Sequence, residues 1–134
     1  MQNCIFCQII SGFVPNHTIY EDDKTLAFLD IHPHSKGHTV VIPKTHVMFI
    51  NELSLDEVSA LFVAVQQTIK RLQEVLSPDG FTVGWNHGEA GGQLVAHIHV
   101  HIMPRWNKDG GGSMHSVINN PGNMSVEDVA TLFV

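Results

Sequence analysis

From His97 to Met103 the chain alternates imidazole with aliphatic side chains: His97-Ile98-His99-Val100-His101-Ile102-Met103. A repeat of two belongs to a β-strand, so the three rings share one face while Ile98, Val100 and Ile102 take the other. Neighbouring rings on such a strand are rooted roughly 7 Å apart. The aliphatic face demands an apolar layer against it, so the chain needs a sheet and something to cover that sheet. A lone strand histidine is usually structural. Three at strict spacing are different, because stacked imidazoles gain little from burial and repel when protonated. Imidazole attacks, donates, accepts or binds metal near neutral pH, and the run therefore reads as a reactive or metal-binding strand.

The cover is predicted upstream. Ser54 is an N-cap candidate and Glu57 completes a capping box. Val58, Leu61, Phe62, Val65, Ile69, Leu72 and Leu76 then recur as one buried stripe of a long helix, which Ser77-Pro78-Asp79-Gly80 stops. This helix is scaffold that also presents a surface to a partner subunit. Ile5 to Ser11 reads as a short helix with Phe6, Ile9 and Ile10 on its apolar face. Strands are expected at His17 to Glu21, Thr25 to Asp30, His38 to Pro43, Phe81 to Asn86 and Ala96 to Met103. After Arg105 the glycine-rich Lys108 to Ser113 reads as flexible, and Ser125 to Phe133 as a short capped helix. The expected fold class is α+β, an antiparallel sheet with helices on one face.

The 134 residues suffice for one domain with a real core and are too few for two ordinary ones. A formal charge of −6 argues against a general nucleic-acid binder. No apolar run approaches the roughly 20 residues of a membrane span. The start, Met1-Gln2-Asn3-Cys4, lacks the features of a secretory signal, so cytoplasm is the expectation. Cys4 and Cys7 stand at CxxC spacing, as a metal half-site or a redox pair does. A redox pair usually follows a strand, and nothing upstream of Cys4 forms one. Two further ligands would complete a tetrahedral metal site.

Together with Asp30-Ile31-His32-Pro33, His38 to Lys44, Asn86-x-Gly88 and Gly91-Gly92-Gln93, the alternating run resembles the histidine triad (HIT) family of nucleotide hydrolases and transferases. The likeness extends from about Phe6 to Arg105, and with its amino-terminal CxxC the chain is most similar to bacterial HIT hydrolases. The resemblance implies a five-stranded antiparallel sheet with one long and one or two short helices, dimerising into a continuous sheet. It implies a domain over 1–106 and a tail over 107–134 that packs on the domain or the dimer partner.

In chemistry, the resemblance implies that His99 attacks the α-phosphorus of a purine nucleoside phosphoramidate or dinucleoside polyphosphate. A nucleotidyl-histidine forms, and water releases the nucleoside monophosphate. His101 is implied to donate to a phosphate oxygen, His38 to orient the triad, and the carbonyl of His97 to hold the nucleophile's other nitrogen. Asp30 is implied to bind ribose, with Phe6, Ile9, Phe28 and Ile31 as an apolar base slot tolerant of purines. Asn86, Gly92, Gln93 and Val95 complete the implied nucleotide site. Backbone N–H groups of Gly91-Gly92-Gln93 are suited to an anion, and Arg105 to phosphate. Similar bacterial members imply a structural zinc on Cys4, Cys7, His46 and His97, with no catalytic cofactor. Leu94 departs from the pattern, because similar proteins carry Ser or Thr there and use the hydroxyl on the phosphate or leaving group. Two rival readings are a zinc hydrolase whose single ion is shared by His97, His99 and His101, and a nucleotide-binding adaptor of low turnover. The remaining histidines, His17, His32, His34, His87 and His115, are expected at the surface.

Overall fold

A computed structural model of the chain describes residues 3–134, so Met1 and Gln2, at the start of the expected domain, lie outside the described residues. Five strands are present, β1 (Thr18–Glu21), β2 (Thr25–Leu29), β3 (Thr39–Pro43), β4 (Gly80–Gly84) and β5 (Val100–Arg105). They form one antiparallel sheet in the order β1-β2-β3-β5-β4. The helices are α1 (Ile5–Ile10), α2 (Leu55–Leu76) and α3 (Val126–Thr131).

The long helix starts where its capping box places it. Ser54 Oγ accepts the Glu57 N–H at 3.2 Å, and Glu57 Oε1 accepts the Ser54 N–H at 2.9 Å. Leu61, Ala64, Val65 and Leu72 of α2 pack on Ala27, Val41, Ile98, Val100 and Ile102. Each fully buried leucine or isoleucine contributes roughly 1.5–3 kcal/mol. Phe62 departs from the expected stripe: it is 38% exposed, and its ring meets Trp85 edge-on at 5.9 Å.

The opposite face of the sheet is covered as well. Leu26, Phe28, Val40 and Ile42 alternate with the residues that face α2, and Phe6 and Ile9 of α1 close over them. Helices therefore lie on both faces rather than one. Since Ile98, Val100 and Ile102 take the α2 face, the intervening histidines are left on the α1 face.

The alternation holds, but the strand begins later than its sequence pattern suggests. Pairing of β3 with β5 starts at Val41 opposite Val100, because β3 ends at Pro43. Beyond that point the Ile98 N–H turns to the Val47 carbonyl at 2.8 Å. His97, at the end of a bend over 95–97, and His99 thus precede the strand, with His101 inside it. At its other end β5 continues to Arg105 through Pro104, which pairs only with Phe81 of β4. Paired on that side alone, the strand has no ladder bond for the missing N–H to interrupt.

From Asn107 to Val134 every residue is exposed, including α3, whose N-cap Ser125 accepts the Asp128 N–H at 3.0 Å. Among the described residues no helix is long and apolar enough to cross a membrane.

Candidate active site

The three rings of the run point to three different tasks, and carbonyl oxygens and an N–H of the backbone decide their tautomers. A carbonyl can only accept and an amide N–H can only donate. His97 Nε2 lies 2.8 Å from the Pro43 carbonyl and so carries its ring proton there. The bare Nδ1 of His97 faces Cys4 Sγ at 3.5 Å and Cys7 Sγ at 3.7 Å, and His46 Nδ1 lies 3.2 Å from Cys7 Sγ. A tetrahedral ion with zinc-like bond lengths would set sulfur–nitrogen edges of about 3.6 Å. All four donor atoms lie within 4.8 Å of one another, so Cys4, Cys7, His46 and His97 fit such an ion. Both cysteines are free.

His99 donates its Nδ1 proton to the His97 carbonyl at 2.8 Å. Its Nε2 is therefore left with an unshared electron pair. The ring is buried edge-on against Phe6, with centroids 5.0 Å apart, and against His101 at 4.9 Å. Burial lowers its pKa below the ordinary imidazole value and keeps the ring neutral at pH 7.

His101 has the opposite tautomer. The His34 N–H donates to His38 Nδ1 at 3.1 Å, which puts the His38 proton on Nε2. That proton is donated to His101 Nδ1 at 2.9 Å, so His101 carries its own proton on Nε2. Burial, then His99 and His38, hold the His101 pKa down at about 4. Burial likewise brings His97 to about 4 and lowers His38 against the pull of Asp30. A bare nitrogen on His99 thus stands beside an N–H donor on His101. Such a pair can attack an electrophile and hydrogen-bond the charge that develops on it.

Other expected residues are placed less uniformly. Asp30 caps the loop after β2, its Oδ1 accepting the His32 N–H at 2.8 Å, while Oδ2 lies 3.6 Å from His38 Nε2. Phe6, Ile9 and Phe28 cluster together, but Ile31 is 77% exposed and stands apart from them. The glycine loop also differs from expectation. The N–H groups of Gly91, Gly92 and Gln93 bond to Gly88 and Glu89 carbonyls at 2.9–3.1 Å, because residues 89–91 form a 3-10 turn that Gly92 leaves at φ +96°. The Gln93 amide is engaged too: Nε2 donates to the Met48 and Val95 carbonyls at 3.0 Å each, and Oε1 accepts the Gly88 N–H at 2.8 Å. Gln93 therefore braces the loop. The N–H groups of Leu94 and Val95 have no partner among the described residues. Asn86 lies beside Gly92, and the Leu94 side chain is 95% exposed.

Arg105 is likewise occupied. It forms a two-pronged pair with Asp109 at 2.7 and 2.9 Å and donates to Thr82 Oγ1 and the Gly112 carbonyl, so it pins the turn after β5. His17, His32, His34, His87 and His115 are all exposed. A single ion shared by the three triad rings finds no support in this geometry. Two clusters of possible ligands occur among the described residues, Cys4-Cys7-His46-His97 and Asp30-His38-His101, and neither includes His99. The His34 N–H and the Pro43 carbonyl escape a sequence reading, since backbone atoms have no residue identity; the loop glycine Gly37 (φ +84°) was the available hint that His34 returns toward His38.

The HIT domain is matched over residues 11–108. The protein hit of Bacillus subtilis is 44% identical over 114 residues, covering 84% of this chain and 79% of that one. Adenosine 5'-monophosphoramidase hnt1 of Schizosaccharomyces pombe is 40% identical over 109 residues, or 81% of this chain and 79% of that one. Among solved structures, a HIT family protein from Bacillus anthracis superposes with a TM-score of 0.84 at 38% identity, covering 98% of this chain and 92% of the other. A Zn-bound histidine triad family protein from Mycobacterium smegmatis gives 0.76 at 38% identity, covering 90% and 85%.

The buried neutral rings tie stability to pH. The folded pKa of His101 is near 4, against about 6.5 for a free imidazole. Between those values the unfolded chain binds more protons, so stability present at pH 7 is lost as pH falls through this window. Urea unfolding should give its highest midpoint near neutrality and a steady decline toward pH 4.5. An unchanged midpoint across that interval would contradict the buried neutral rings.

Proposed function

The chain belongs to the HIT family, and from that premise we propose that it moves the nucleotidyl group of a purine nucleotide derivative onto His99 and then onto water. The observation that carries this reading is the bare Nε2 of His99, held in that tautomer by the His97 carbonyl. A neutral imidazole nitrogen is a competent nucleophile at pH 7. Its electron pair forms the bond to the α-phosphorus, and the bond from phosphorus to the leaving group breaks with its electron pair on the departing atom, which, when it is an amine nitrogen, takes a proton from solvent and leaves neutral. His101 Nε2–H hydrogen-bonds a phosphoryl oxygen as charge develops there. Water then bonds to phosphorus and gives up a proton to solvent, the P–N pair returns to His99 Nε2, and a nucleoside monophosphate leaves.

Phosphoramidates and dinucleoside polyphosphates both fit this sequence, and the phosphoramidase among the relatives supports the first class. In the proposed binding mode Phe6, Ile9 and Phe28 hold the base with Ile31 at the rim, and Asp30 Oδ2 accepts from the ribose. The Leu94 and Val95 N–H groups meet phosphate, while Gly92, Asn86 and Gln93 shape the loop that presents them. Leu94 offers no hydroxyl, so assistance to the leaving group falls to His101. The step draws on side chains and backbone alone.

Zinc is the proposed occupant of Cys4, Cys7, His46 and His97. The donor set of two thiols and two neutral imidazoles suits it, and the zinc-bound relative supports it. Bound zinc would supply cross-linking: these four residues join α1 to the end of β3 and fix His97, whose carbonyl orients His99. Free cysteines arranged as ligands suit a reducing compartment such as the cytoplasm.

A homodimer is proposed across the open edge of β4 and the outer flank of α2, where Phe62, Val63 and Trp85 are exposed. The tail over 107–134 is exposed along its length apart from the contacts of its first residues with Arg105 and Asp79, and it is proposed to pack on the domain or on the dimer partner.

Incubation with adenosine phosphoramidate should release adenosine monophosphate, and His99→Ala should lower the rate by on the order of 10³-fold or more with the fold intact. Equal rates in the variant would remove His99 from the chemistry. Titration of metal-free protein with cobalt should give a tetrahedral thiolate–cobalt spectrum that saturates at one equivalent. The spectrum should vanish in the Cys4→Ser, Cys7→Ser variant, and its persistence there would place the metal elsewhere.

A further inference from the structure

We infer that Cys4 and Cys7 are a modification site, closed to a disulfide by a hydroperoxide, and that closing it unlatches the nucleophile; this rests on the nucleotidyl-transfer and zinc readings above. The two sulfurs are placed for it. They lie within 4.8 Å of each other and face the same His97 Nδ1, at 3.5 and 3.7 Å. Both are free. Cys4 caps α1 and the Cys7 N–H donates to its Sγ at 3.4 Å, so one helical turn carries both. Closure to the roughly 2.05 Å of a disulfide brings together side chains that are already neighbours.

Access tells the two apart. A cavity of about 430 Å³ opens at this corner of the molecule, and its wall holds Cys4 and His46 but not Cys7. A small oxidant therefore meets Cys4 first, with Cys7 behind it as the resolving thiol, the arrangement that redox-sensing cysteines share. The Cys4 sulfur bonds to one oxygen of hydrogen peroxide, the O–O bond breaks, and its electron pair leaves on the other oxygen, which takes a proton. The Cys7 sulfur then bonds to Cys4 Sγ, and the S–O bond breaks with its pair on a hydroxide that leaves as water. Two thiolates, one peroxide and two protons give one disulfide and two waters; the sulfurs are oxidised and the peroxide is reduced.

The consequence follows from the bonds that meet at this corner. A disulfide sulfur is no longer a thiolate ligand, so only the two imidazoles would remain to hold a metal. His97 keeps the Pro43 carbonyl on Nε2 but loses the sulfurs that face its Nδ1, and its own carbonyl is the one that fixes His99. His46 leads into a segment bonded on both flanks. The Val47 carbonyl accepts the Ile98 N–H at 2.8 Å, and the Met48 carbonyl accepts Gln93 Nε2 at 3.0 Å. One oxidation thus loosens the peptide that aims the nucleophile and the segment that braces the glycine loop. Disulfides in a reducing compartment are transient and sense oxidants, which makes this a reversible brake.

Treatment of zinc-loaded protein with hydrogen peroxide tests the inference. Mass spectrometry should find the loss of two hydrogens at a Cys4–Cys7 disulfide, and a colorimetric chelator should collect the released zinc. Turnover of adenosine phosphoramidate should fall by about tenfold and recover after dithiothreitol and zinc. The nitrogen-15 signals of the His99 ring should shift over the same time course. In the Cys4→Ser, Cys7→Ser variant, peroxide should change neither those signals nor the residual turnover. Absence of the disulfide, oxidation of Cys4 alone to a sulfinic acid, or a disulfide that leaves the His99 signals or the turnover unchanged would each overturn the inference. Disulfide formation and the His99 signals need no turnover. Failure of the nucleotidyl-transfer reading would show separately, as untreated protein that releases no adenosine monophosphate, and failure of the zinc reading as a disulfide formed without metal release.

Discussion

One hydrogen bond sets the chemistry of this fold, the 2.8 Å contact from His99 Nδ1–H to the His97 carbonyl. A carbonyl cannot donate, so the bond dictates the tautomer of His99 as well as the direction of its ring. The acceptor belongs to the residue whose own ring is held between the Pro43 carbonyl and the Cys4–Cys7 sulfurs. The peptide that aims the nucleophile is thereby anchored on both sides. Phe6 adds a third restraint, its ring packed edge-on against both His97 and His99 at 5.8 and 5.0 Å.

The same logic, run in reverse, makes His101 a donor. Its orientation starts from an amide N–H, that of His34, and passes through His38. Two chains of hydrogen bonds therefore leave neighbouring rings in complementary states, one with a lone pair and one with a proton. Burial sustains this arrangement by disfavouring the charged form of each ring. Leaving buried polar atoms unsatisfied would be costly. Ser35 Oγ is the one such side-chain atom among the described residues.

Patterns that depend on side-chain identity were legible in the sequence. The alternation of His97 to Ile102 correctly separates a histidine face from an aliphatic one, and Ser54 with Glu57 marks the start of α2 to the residue. What depended on the backbone was not. The alternation suggests a strand from Ala96, whereas pairing begins only at Val100, where β5 meets Val41 of β3. Gln93 and Arg105 carry donors that suit phosphate, but internal acceptors in the loop and the turn after β5 claim them first. Ile31 follows Asp30 in the motif yet is 77% exposed, outside the buried cluster of Phe6, Ile9 and Phe28. In each case the residue type was right for the expected role and its nearest partner was invisible in the sequence.

Ring tautomers can be read directly from nitrogen-15 NMR of the histidine side chains at neutral pH. Long-range nitrogen–proton couplings should show the His99 proton on Nδ1 and the His101 proton on Nε2, both rings uncharged. A His99 ring protonated on Nε2, or on both nitrogens, would leave no electron pair where the chemistry begins and would contradict the mechanism at its first step.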